Sequence, residues 1–131
     1  MIDAAVATQL RALLPRAHAP YSKVHVAAAV EGDDGRVHYG VNVENAAYPQ
    51  GVCAEASAIC AAVTQGPARL SRVYVTSSLS GLLWPCGGCR QKIYELAAVG
   101  CEVVSLGSDG EVGVSTIEEL LPLGFRLPPP G

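Results

Sequence analysis

Gly32-Asp33-Asp34-Gly35 separates two segments of strand character, residues 24–31 and 36–43, and an Asp-Gly connection this short forces its flanks to pair antiparallel. Beyond the hairpin, helix and strand character alternate. Residues 54–63 are rich in helix formers and close at Gln65-Gly66-Pro67, and residues 71–76 (Ser-Arg-Val-Tyr-Val-Thr) have high β propensity. Residues 86–98 suit a helix entered after Pro85 and ended near Gly100, and residues 101–106 suit a buried strand. Ahead of the hairpin, Ile2, Val6, Leu10 and Leu13 recur at helical spacing behind Asp3, an N-cap residue, which predicts a helix over 3–14. Near the other end, Thr116-Ile117-Glu118-Glu119 has the form of a capping box before a short helical turn, and residues 128–131 read as a loose Pro-rich tail. A hairpin leading into alternating helices and strands predicts an α/β fold, a mixed sheet with helices on both faces.

The 131 residues are enough for one domain, expected to span 1–131, and too few for two ordinary ones. Hydrophobic residues are 50% and charged residues 16%, which excludes a disordered chain and a coiled coil. A formal charge of −3 with scattered basic residues lacks the electrostatic footprint of a nucleic-acid binder, so no nucleic acid polymer is expected as a partner. Residues 1–14 lack a basic start and an unbroken apolar run, and the uncharged stretch in 73–89 is broken by Ser, Thr, Gly and Pro. No membrane segment is expected, and a cytoplasmic placement is the expectation that follows. There, five cysteines read as thiols rather than disulfides.

Three of those thiols stand at predicted helix starts: Cys53, opening Cys53-Ala54-Glu55, and Cys86 with Cys89 in Pro85-Cys86-Gly87-Gly88-Cys89. Backbone N–H groups and a partial positive charge at a helix start favour the thiolate that zinc binds. Three thiolates leave one tetrahedral position for water, the catalytic rather than the structural arrangement, and Glu55 is placed to take a proton. A lone C-x-x-C also occurs in redox pairs and zinc knuckles, but neither calls for Cys-x-Glu at the head of another helix; the combination is a zinc deaminase signature. Cys60 and Cys101 read as small buried hydrophobes. His18, His25 and His38 sit in no ligand-spaced motif and are read as surface or packing residues.

The segments Ala19-Pro20-Tyr21-Ser22-Lys23, Asn42-Val43-Glu44-Asn45-Ala46-Ala47-Tyr48, Cys53-Ala54-Glu55, Pro85-Cys86-Gly87-Gly88-Cys89-Arg90-Gln91 and Leu120-Leu121-Pro122-Leu123-Gly124-Phe125 run nearly the whole length. In that order they resemble the small three-cysteine, homotetrameric cytidine deaminases. The resemblance implies a three-layer α/β/α fold with a mixed sheet of about five strands. It implies one zinc per subunit on Cys53, Cys86 and Cys89, with Glu55 shuttling protons to N3 and to the leaving amine of a cytosine nucleoside. It further implies that Asn42 and Glu44 hold ribose hydroxyls, that Ala54 and Tyr48 contact substrate, and that Phe125 reaches the pocket of a neighbouring subunit and touches the base. The partner would then be a free pyrimidine nucleoside, cytidine or deoxycytidine, in a homotetramer with subunit-shared sites.

Two positions depart from that pattern. Similar proteins carry Arg directly after Cys-Ala-Glu, where it offsets the surplus negative charge of three thiolates on one divalent ion, and this chain has Ala56. Arg90, one residue past Cys89, and the two helix starts are the candidate offsets. Where similar proteins have Phe in the pocket wall this chain has Val24, and Trp84 is a candidate to refill that volume, with loop anchoring as its alternative role. These departures keep two alternatives open: deamination of another cytosine nucleoside such as blasticidin S, and a non-catalytic protein in which zinc only staples the fold.

Overall fold

The computed structural model describes residues 2–67 and 69–129. Its strands are β1 (Val26–Gly32), β2 (Val37–Val41), β3 (Leu70–Ser77), β4 (Ala97–Leu106) and β5 (Val112–Thr116). They form one mixed sheet in the order β2-β1-β3-β4-β5. β1 pairs antiparallel with β2 and with β3, β4 pairs antiparallel with β5, and β3 and β4 are parallel. The parallel pair is the one whose strands are joined across a helix, as a parallel connection requires.

The helices are α1 (Ala4–Leu13), α2 (Ala54–Gln65), α3 (Gly87–Leu96) and α4 (Ile117–Leu120). Because successive side chains of a strand point to opposite faces, β1 feeds both cores. Ala27 and Ala29 join Tyr74, Val104 and Leu106 against Val6, Ala7 and Leu10 of α1. Ala28 and Val30 join Val73 and Val103 against Ala58, Ile59 and Ala62 of α2, Ile93 of α3 and Ile117 of α4. One helix on one face and three on the other make the three layers. The expected caps are present. The Asp3 carboxylate accepts from the N–H groups of Ala5 and Val6, and Thr116 and Glu119 form the reciprocal capping box. α2 stops at Gly66, whose left-handed φ of 98° suits glycine.

Four details differ from the sequence expectation. The hairpin strands are trimmed to Val26 and Val41 because the side chain of Asn42 takes over the ladder: its Oδ1 accepts from the Val26 N–H at 2.8 Å and its Nδ2 donates to the Val24 carbonyl at 2.8 Å. α3 ends at Leu96, not 98, because Ala97 pairs with Leu70 and starts β4, while Arg69 and Arg126 donate to the freed carbonyls of Glu95 and Tyr94. The residue pattern does not locate β5. Its Gly113 weakens the strand signal, and glycine is needed there since a Cβ would stand 2.8 Å from atoms of Leu82 and Trp84. Cys60 is exposed on the outer side of α2 rather than buried; Cys101 is buried as expected. Of the Pro-rich tail, Pro128 and Pro129 are exposed, and residues 130 and 131 lie outside the described residues. Among the described residues no helix is long and apolar enough to cross a membrane.

Candidate active site

Cys53 and Cys86 are the N-cap residues of α2 and α3, both with extended backbone, and Cys89 is the third residue of α3. Two helix starts therefore converge. The three Sγ atoms lie within 4.8 Å of one another. A tetrahedral zinc with Zn–S bonds of about 2.3 Å separates its thiolates by about 3.8 Å, so modest side-chain adjustment closes these three sulfurs around the ion. Among the described residues no histidine or carboxylate joins the group, which leaves a fourth position without a protein ligand. The close approach of α2 to the sheet depends on Gly40 of β2. A Cβ there would stand 2.4 Å from the Ala58 nitrogen and 2.8 Å from the Ala54 carbonyl oxygen, so glycine lets the start of α2 lie directly on the strand.

The thiols differ in acidity. The N–H of Cys89, with that of Gly88 behind it, lowers the Cys86 thiol, while burial raises those of Cys53 and Cys89. Nearby Glu55 and the other sulfurs raise Cys89 further. A buried thiol whose ionisation the neighbouring negative groups disfavour calls for a cation beside it. Glu55, two residues past Cys53, is only 4% exposed, and burial holds its carboxyl above the usual carboxylate range. The nearby positive charge of Lys92 partly opposes that rise. Lys92 reaches back along α3 until its Nζ is 3.8 Å from where a Cβ on Gly88 would sit, a placement that one charged residue among helix formers does not reveal in sequence.

A cavity of about 400 Å³ opens over Cys53, Cys86 and Glu55. Asn42, Glu44, Tyr48 and Ala54 line it as well, so four of the expected substrate contacts share one cavity with Cys53 and Cys86. Asn42 and Glu44 lie just beyond β2 rather than within a strand, in a segment tied by bridges from Val43 to Val52 and to His18. Both side chains already have partners in the chain. Glu44 Oε1 accepts from the N–H groups of Tyr21 and Ser22, each at 3.1 Å, and Oε2 accepts from the Ser22 hydroxyl. The Ser22 hydroxyl and N–H hold the Glu44 carboxyl below its usual range, so it stays a charged acceptor with lone pairs to spare. Tyr48 is 79% exposed at the mouth, its ring edge-on to Tyr21 with centroids 6.2 Å apart.

Val26, Val43, Val52, Leu83 and Trp84 add an apolar part to the lining. Trp84 lines the cavity while its ring also lies against Gly113, and Val24 does not line the cavity, so the ring does not stand in the place of the Val24 side chain there. Arg90 donates from Nε to the Pro85 carbonyl at 2.7 Å and from Nη1 to the Leu120 carbonyl at 3.1 Å, pinning the segment that carries Cys86 to α4. Phe125 is not in the cavity of its own chain. It borders a separate groove beside Arg69 and Glu95.

Residues 2–105 match the family model described as the cytidine and deoxycytidylate deaminase zinc-binding region. A cytidine deaminase of Sporosarcina psychrophila is 36% identical over 110 residues, covering 84% of this chain and 81% of the relative. One of Mycobacterium tuberculosis is 39% identical over 111 residues, 85% of this chain and 80% of the relative. The crystal structure of cytidine deaminase from Burkholderia pseudomallei superposes with a TM-score of 0.88 at 37% identity, over 95% of this chain and 100% of that one. The match spans both cysteine motifs and, Leu106 aside, every strand but β5, and the chain belongs to the cytidine and deoxycytidylate deaminase zinc-binding family.

Proposed function

We propose that the protein is a zinc-dependent hydrolytic deaminase of free cytidine and deoxycytidine, yielding uridine or deoxyuridine and ammonia. The observation that carries this reading is the junction of two helix starts, where three sulfurs meet beside a buried carboxyl at the floor of a nucleoside-sized cavity. Cys53, Cys86 and Cys89 would hold the ion. When bound, zinc supplies the positive charge that makes water nucleophilic near neutral pH.

Glu55 accepts a proton from the water that adds to C4 of the pyrimidine and delivers it to N3. It then carries the second proton to the departing amine, so the C4–N bond breaks, a C4 carbonyl forms and one water is consumed. Burial suits this cycle, because a carboxyl raised above its usual range holds a proton long enough to pass it on. Asn42 and Glu44 receive the ribose hydroxyls, an amide and a carboxylate held rigid by their own hydrogen bonds to residues 21–26. Ala54 and Tyr48 border the substrate. Arg90 helps to offset the surplus thiolate charge from the second layer of residues around the ion.

The remaining contact comes from outside the chain. Phe125 would enter the cavity of a neighbouring copy and stack on the base, in a homotetramer with shared sites. The exposed apolar side chains Val99, Leu123, Phe125 and Leu127 support such an assembly, since a lone subunit gains nothing by leaving them in water. We take residues 1–131 as one domain working in the cytoplasm, a reading that the five free cysteines support. The test is a panel of cytidine, deoxycytidine, blasticidin S and a cytosine-containing single-stranded oligonucleotide with zinc-loaded protein. Turnover of the two nucleosides alone is expected. Preference for blasticidin S or the oligonucleotide would overturn the assignment.

A further inference from the structure

The ring of Phe125 is 66% exposed, yet the backbone beneath it is held on three consecutive residues by α3. Gln91, two residues past Cys89, meets the main chain of Phe125 with both ends of its amide. Its Nε2 donates to the Phe125 carbonyl at 2.7 Å and its Oε1 accepts from the Phe125 N–H at 3.1 Å. On one side, Gly124 lies so close to Tyr94 that a Cβ would come within 2.6 Å of its ring. On the other, the Arg126 guanidinium sits 4.2 Å over that ring and donates to the Tyr94 carbonyl at 2.6 Å. An apolar side chain in water ordinarily gains nothing from a fixed backbone, and a chain end without such contacts would sample many positions. Here the contacts of Gly124, Phe125 and Arg126 with α3 oppose that freedom.

We propose that Gln91 is a positioning residue that fixes the backbone at Phe125, so that the ring is presented already oriented to the nucleoside site of a neighbouring copy. The inference rests on the proposed contact between Phe125 and the substrate. It explains why the residue two positions after a zinc-site cysteine bears an amide that is not spent on the metal cluster. One helix then carries Cys89 for its own site and, through Gln91, the aromatic contact for another. Preorganisation lowers the ordering cost on binding, so the clamp acts on substrate affinity rather than on the chemical step.

The experiment compares Gln91→Leu, Gln91→Glu, Phe125→Ala and the double variant Gln91→Leu/Phe125→Ala as zinc-loaded full-length proteins. KM and kcat for cytidine are read beside zinc content and oligomeric state. Phe125→Ala is expected to raise KM on the order of tenfold through loss of stacking. Gln91→Leu should raise it about fivefold with kcat and zinc content retained, and Gln91→Glu, which keeps the acceptor for the Phe125 N–H, should fall between it and the parent. The double variant should match Phe125→Ala alone, because Gln91 has nothing left to position. Multiplying KM effects in the double variant, or loss of kcat and zinc in both Gln91 variants at unchanged KM, would overturn the inference and leave the Phe125 contact standing. An unchanged KM in Phe125→Ala would instead remove the contact itself, and the inference with it.

Discussion

At the inner end of the site Glu55 is 4% exposed and Cys89 is 1% exposed, with Cys53 and Cys86 at the exposed helix starts beside them, whereas at the outer end Tyr48 is 79% exposed. The inner groups sit in the first turn of helices whose other faces are the core: Ala54 and Ala58 of α2 and Ile93 of α3 pack on β1, β3 and β4. The outer groups belong to irregular chain. Their order comes from side chains bonded to main chain, Asn42 to Val24 and Val26, Glu44 to Tyr21 and Ser22. The difference separates two jobs. Reaction chemistry requires groups fixed by packed helices, which one folded chain supplies; recognition is assembled from irregular chain whose pieces gain their value when substrate or another copy covers them.

If that division holds, substitutions at the inner end act on metal and turnover and those at the outer end act on affinity. Cys89→Ala should have the largest effect, losing zinc by metal analysis and turnover by a factor on the order of 10⁴ or more, with a lower melting temperature because metal binding is coupled to folding. Zinc and turnover kept in that variant would break the comparison at its base. Gly40→Ala comes next. Its Cβ would collide with the backbone of Ala54 and Ala58, and the displaced start of α2 should cost about 2 kcal/mol of stability in thermal or denaturant unfolding, with kcat reduced up to about 100-fold.

Asn42→Ala belongs to the outer set and should raise KM about tenfold with a smaller change in kcat, measured by steady-state deamination. A pure kcat loss would move Asn42 to the inner set. Trp84→Ser should be mildest, a KM rise of about threefold for cytidine, because Val26 and Leu83 keep part of the apolar wall. An unchanged KM with a lower melting temperature would leave Trp84 as a loop anchor only.

The inner end is readable in the sequence because its signals are local. Cys53-Ala54-Glu55 and Cys86 with Cys89 each lie within four residues, and helix starts have their own vocabulary of caps and glycines. The hairpin and α1 are readable for the same reason, from the Asp-Gly connection and the Asp3 cap. The rest depends on distant contacts. Gly113 looks like a strand breaker until Leu82 and Trp84 are seen against it, and the site of β5 is lost with it. Gln91 meets Phe125 across 34 positions of chain, and Gly40 meets α2 only once the helix is docked on β2. The exposure of Cys60 is a matter of phase. α2 is alanine-rich, so its buried stripe of Ala54, Ala58, Ile59 and Ala62 contrasts little with its outer face.

The most direct measurement is ammonia release from cytidine by zinc-loaded protein, with Glu55→Gln protein of equal zinc content beside it. Rapid release by the parent and a loss of about 10² to 10⁴-fold in the variant are expected, the range that general acid–base catalysis contributes. Equal rates in the two proteins, or no release by the zinc-loaded parent, would contradict the assignment of the buried carboxyl as the proton carrier of a deaminase.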